Sequence, residues 1–99
     1  MKFLINGRAF DTVEGELIAE VTQFTDYGDM TAQTWFYFSG VEGVESDQIV
    51  VVTYDRATDV TAARTINAHQ AAGAIEDAGV PVHCGRFFDV LEATPALPF

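Results

Sequence analysis

Residues 33–39 constrain the fold more than any other stretch of the chain. In Gln33-Thr34-Trp35-Phe36-Tyr37-Phe38-Ser39, an extended backbone places Trp35 and Tyr37 on one side and Phe36 and Phe38 on the other. A strand that is apolar on both faces belongs at the centre of a sheet, covered on both sides. The 99 residues allow one domain and one core, and 48% hydrophobic residues suffice to build it.

The neighbouring segments supply candidate partners for that strand. Asn6-Gly7, between Phe3-Leu4-Ile5 and Ala9-Phe10, suits the positive φ angles of a type I′ turn and predicts a hairpin of 2–5 with 8–13. Gly15 marks a bulge or turn. In 16–24, Leu17, Ala19 and Val21 alternate with Glu16, Glu20 and Thr22, the pattern of a half-buried strand. Thr25-Asp26-Tyr27-Gly28-Asp29 reads as a polar turn, 40–47 as an acidic loop and 49–54 as a buried β-branched strand. Asp59 is a candidate N-cap for an alanine-rich helix over 60–78, with Gly79 at its end and Pro81 beyond. Residues 82–84 and 86–91 read as one bulged strand or two short ones around Gly85, and 93–99, with Pro95 and Pro98, as an extended tail.

These segments give an α+β fold: an antiparallel sheet of five to six strands with one helix packed on a face, in the order β-β-β-β-β-α-β. A right-handed crossover from 49–54 through the helix to 82–84 would make the sheet mixed. The expected single domain covers 1–92 and the tail 93–99. One helix cannot cover both faces of the sheet. Trp35 or Phe36 is therefore expected to be partly exposed, or covered by a partner or a second copy.

Few residues offer chemistry. Cys84 is the single cysteine, so no internal disulfide forms and nothing suggests an oxidising compartment. The apolar run at the start is too short for a signal peptide, and no stretch approaches the roughly 20 apolar residues of a membrane span. The expected compartment is the cytoplasm, the host's if the chain is phage-encoded. His69, His83 and Cys84 lack zinc-ligand spacing, and neighbours such as His83 and Cys84 point to opposite faces of a strand. Cys84 as a nucleophile needs a base, and His69 is the sole candidate. Asp26 and Asp29, with Thr25 and Thr31, lack the calcium-loop pattern, and Gly40 and Gly43 lack the Gly-Lys-Ser/Thr ending of a phosphate loop. The expectation is no catalytic residue, no cofactor, no metal and no enzyme activity.

Charge is the most informative feature. Fifteen acidic and five basic residues give a formal charge of −10, beyond the magnitude of about 2–8 usual for a small domain. Between Arg8 and Arg56 there is no Lys or Arg but ten acids: Asp11, Glu14, Glu16, Glu20, Asp26, Asp29, Glu42, Glu45, Asp47 and Asp55. Glu14, Glu16 and Glu20 share a face if the strand runs through Gly15. Alternate strand residues stand about 6.8 Å apart, comparable to phosphates along a nucleic acid. Such a face suits a basic groove built for DNA or RNA. The expected partner-binding residues are Glu14, Glu16, Glu20, Asp26, Asp29, Glu42, Glu45 and Asp47. The bland alternative is an acidic surface that only keeps the protein in solution. Direct nucleic-acid binding is excluded by the scarcity of basic residues.

In length, charge, single cysteine and lack of catalytic signatures, the chain resembles the small acidic inhibitors of phages and mobile elements, including anti-CRISPR and DNA-mimic proteins. The resemblance rests on general character, with no shared motif. It implies a basic nucleic-acid channel of a host defence complex as the target. A second reading is a phage-type structural or assembly protein that oligomerises, for instance as a homodimer, through an aromatic sheet face. The third and weakest is a small enzyme using His69, His83 or Cys84.

Overall fold

A computed structural model, describing residues 1–5, 7–38 and 48–93, has an α+β fold with two antiparallel sheets and two helices. Strands β1 (Lys2–Ile5) and β2 (Arg8–Asp11) form a hairpin. A four-stranded meander follows: β3 (Glu16–Phe24), β4 (Met30–Phe38), β5 (Gln48–Asp55) and β6 (Val60–Asn67), paired in sequence order. Helices α1 (Ala68–Ala78) and α2 (Arg86–Ala93) come last.

In the hairpin, Ile5 pairs with Arg8 across a two-residue connection, and Gly7 has φ +78°, the left-handed backbone such turns require. Asn6 lies outside the described residues. Strand β2 stops at Asp11, short of the expected 13, because Asp11 captures the chain. Its carboxylate accepts from the Val13 N–H at 3.1 Å and its carbonyl from the Glu14 N–H at 3.0 Å.

Strand β4 is central, between β3 and β5; Phe36 and Phe38 are buried on one face, while on the other Trp35, as expected, and Tyr37 are only half-buried. Phe36 and Phe38 pack with Ile18, Ala19, Ile49 and Val51 against Ala68, Ala71, Ile75, Cys84 and Phe87 of the helical layer. Trp35 and Tyr37 lie on the other face with Val50 and Val52, beneath Phe3, Ile5 and Phe10 of the hairpin. The expected single sheet of five to six strands is thus corrected: its first two strands fold over the second face of a four-stranded sheet. They supply the cover that one helix could not. Gly15 permits this reversal, since a Cβ there would stand 2.9 Å from the Phe10 ring.

The expected helix over 60–78 is also corrected. Its first part is β6, where Val60, Ala62 and Arg64 are exposed and Thr61, Ala63 and Thr65 half-buried. Val60, Thr61, Thr65 and Ile66 are β-branched and pair along β5. Asp59 does not cap a helix. It has φ +53° in the β5–β6 turn and accepts from the Tyr54 hydroxyl at 2.9 Å. The N-cap is Asn67, whose side chain accepts from the Gln70 N–H at 2.8 Å while the Gln70 side chain takes the Asn67 N–H. Ala68, Ala71 and Ile75 form the buried stripe of α1, and Gly79 ends it at φ +68° as expected.

Residues 82–84 form no strand, so the parallel crossover is absent and every pairing among the described residues is antiparallel. Residues 86–91 belong to α2, which also takes Ala93 from the expected tail; 94–99 lie outside the described residues. Phe87, Val90 and Leu91 face the core at helical spacing, while Phe88 is 53% exposed. The order is six strands and then two helices.

Candidate functional site

The acidic row expected along β3 does not exist as a row. Glu16 pairs with Phe38 and Glu20 with Trp35, but the register shifts between Leu17 and Ala19. One extra residue, Ile18, enters the strand, and both Ile18 and Ala19 are fully buried. Such a bulge breaks the alternation and sends the two glutamates to opposite faces. The bulge is anchored by the Ile18 carbonyl, which accepts from the His83 N–H at 2.7 Å. Glu14 lies exposed in the turn before the strand.

On the helical face, Glu16 is engaged within the fold. It accepts from Arg86 at 3.1 Å and from the Cys84 thiol at 3.0 Å. The Arg86 guanidinium also stands 4.4 Å from the centre of the Phe38 ring. Burial and then Glu16 push the Cys84 thiol above its ordinary range. That is the reverse of what activates a nucleophile, which needs a lowered thiol pKa. His83 is exposed and His69 is half-buried on α1. Among the described residues, no three His, Cys, Asp or Glu side chains converge as a metal site, and no helix is long and apolar enough to cross a membrane.

Asp26 and Asp29 are exposed at the end of the sheet, in the β3–β4 turn. Thr25 builds this turn, its hydroxyl accepting from the Tyr27 N–H at 3.3 Å and the Asp29 N–H at 3.2 Å. Tyr27 is 94% exposed at the tip. The β5–β6 turn lies alongside, held by the Arg56 N–H to the Thr31 carbonyl at 3.0 Å. Exposed Asp55 and Asp59 thereby join Asp26 and Asp29 at one end of the sheet, with Arg56 between the turns. Sequence reasoning gave Asp59 to a helix and so missed this grouping. The readable signal was the placement of Asp55 and Asp59 between two β-branched runs, as in a hairpin. Glu42, Glu45 and Asp47 lie outside the described residues.

Glu20 occupies the hairpin side of the sheet, where its carboxylate accepts from the Gln33 side chain. On the same side of the sheet opens a cavity of about 340 Å³ lined by Met1, Thr12, Trp35, Tyr37, Val52, Tyr54 and Thr61. Burial, and then the Glu20 charge, raise the Tyr37 phenol; the hydrogen bond to Asp59 is the main cause that raises Tyr54. No protein-family model, curated protein or solved structure matches the chain.

Proposed function

We propose that the chain is a small acidic binding protein that occupies a basic, nucleic-acid-handling surface of a partner protein, in the manner of anti-CRISPR and DNA-mimic inhibitors. The observation that carries this reading is the uneven charge: ten acids and no Lys or Arg between residues 11 and 55. The proposed contact is the sheet end with Asp26, Asp29, Asp55 and Asp59, rather than a glutamate row on β3. Glu16 already satisfies Arg86, whereas the turn carboxylates are exposed beside an exposed aromatic, Tyr27. Aromatic and charged groups together suit a protein interface. The assembly reading draws less support, because the hairpin already occupies much of the aromatic sheet face.

The test is affinity capture from host lysate at low and high salt, with partner affinity then measured for two sets of reversals. Asp26→Lys with Asp29→Lys should weaken binding by about 1–3 kcal/mol per desolvated pair. Reversal of Asp77 and Asp89 should matter less, and salt should weaken the wild-type complex. Equal effects from both sets, or binding indifferent to salt, would refute the reading.

A further inference from the structure

The aromatic cavity has a chemistry of its own. Three of its seven lining residues, Trp35, Tyr37 and Tyr54, are aromatic. Carboxylates flank them on two sides. Glu20 is the cross-strand neighbour of Trp35, and Asp59 holds the Tyr54 hydroxyl at 2.9 Å. On the hairpin side the α-ammonium of Met1 lies near Asp11 at 3.5 Å and is bonded to the Thr12 hydroxyl at 3.1 Å. The lining itself holds no carboxylate, but Glu20 and Asp59 stand against its aromatic residues, and aromatic residues with carboxylates beside them attract a cation whose body can lie on rings. A guanidinium suits it better than an ammonium, because it is planar, stacks on rings and sheds water more readily.

We infer that this cavity receives an arginine side chain from a partner protein, its guanidinium lying on the aromatic rings and its charge answered by Glu20 and Asp59. The inference rests on the proposed function only for the source of the arginine, a basic partner surface. The dimensions agree: a cavity of about 340 Å³ falls at the lower end of small-ligand pockets and admits one side chain. The net charge of −10 adds a long-range attraction for the same occupant.

Trp35 is the sole tryptophan of the chain, so its fluorescence reports on this cavity. The probes are three blocked tripeptides of the form Gly-X-Gly, with X arginine, lysine or citrulline. The arginine peptide should change the emission saturably, with a smaller effect from lysine and none from citrulline. Glu20→Gln and Asp59→Asn should each raise the dissociation constant about two- to fivefold, the scale of one partly exposed charge contact. Both changes keep side-chain shape at exposed positions, and circular dichroism verifies that the variants fold. An equal response to citrulline would show a merely apolar cavity and overturn the inference. So would an emission that does not saturate, or arginine affinity unchanged in both variants. The titration needs no partner protein, so its failure leaves the salt-dependent capture experiment to decide the proposed function separately.

Discussion

At the residue scale, Cys84 shows how the fold turns a reactive group into a packing group. Its thiol is 4% exposed, donates to Glu16 and sits in the core beside Phe87. The folded-state pKa is raised by burial and by the carboxylate. A raised pKa means that the folded state holds its proton where the unfolded state has lost it. The contribution is therefore complete below the ordinary thiol range and is lost as pH rises through it. Wild type should lose more stability than Cys84→Ala between neutral pH and a pH above the ordinary thiol range, as urea midpoints would measure. Tyr37 also has a raised pKa, but it is common to both proteins and cancels in the difference. At neutral pH the substitution itself should cost about 1 kcal/mol for the small cavity it leaves. If the two proteins lost stability in parallel, the thiol would be exposed or Glu16 would not be its acceptor.

At the element scale, the boundary between β6 and α1 is set by one side chain. Asn67 is the last residue of the strand and the N-cap of the helix, and with Gln70 it satisfies donors that would otherwise be orphaned. Asn67→Ala should cost about 1 kcal/mol in urea denaturation, and Asn67→Asp or Asn67→Ser much less. An unchanged midpoint for Asn67→Ala would mean that packing of Ala68, Ala71 and Ile75 alone fixes the helix start. The same boundary explains why the sequence was misread. Asp59 is a cap-type residue and alanines run through both segments, so composition alone reads 60–78 as one helix. What separates the segments is the β-branched alternation of Val60, Thr61, Thr65 and Ile66 and its pairing with β5, which is a tertiary contact. In α2, expected as a strand after Gly85, Phe87, Val90 and Leu91 carry the helical period. The two-faced character of β4 was legible because it needs no partner to be read. The bulge at Ile18 was not, since it depends on His83 and on the register with β4. That single inserted residue also decided that Glu16 and Glu20 do not share a face.

At the scale of the whole molecule, a small core holds together a strong excess of one charge. The ion pairs among the described residues relieve little of it: Arg86 meets Glu16, and the α-ammonium meets Asp11, whose carboxyl is held below its usual range first by the Val13 N–H. Pairs of this kind, screened by solvent, contribute little. At the sheet end, Asp55 accepts from the Ala57 N–H at 2.9 Å and Asp59 from the Tyr54 hydroxyl at 2.9 Å, which leaves Asp26 and Asp29 as charges that the turns do not use. The β3–β4 turn is built through the Thr25 hydroxyl and main chain, not through the Asp26 or Asp29 carboxylates. Two consequences follow from screening. Added sodium chloride should raise the urea midpoint of the wild type, because repulsion between like charges weakens within a shorter Debye length. Asp26→Lys with Asp29→Lys should leave stability within about 0.5 kcal/mol per site of wild type, shifted upward, and should reduce the salt dependence. The comparison is made at two salt concentrations without any partner present. A stabilised fold that binds its partner less well would separate the two roles of these carboxylates, since a group kept for structure cannot be reversed at a gain. A destabilised double variant with unchanged salt dependence would instead place Asp26 and Asp29 in the architecture of the turn and remove them from the proposed contact.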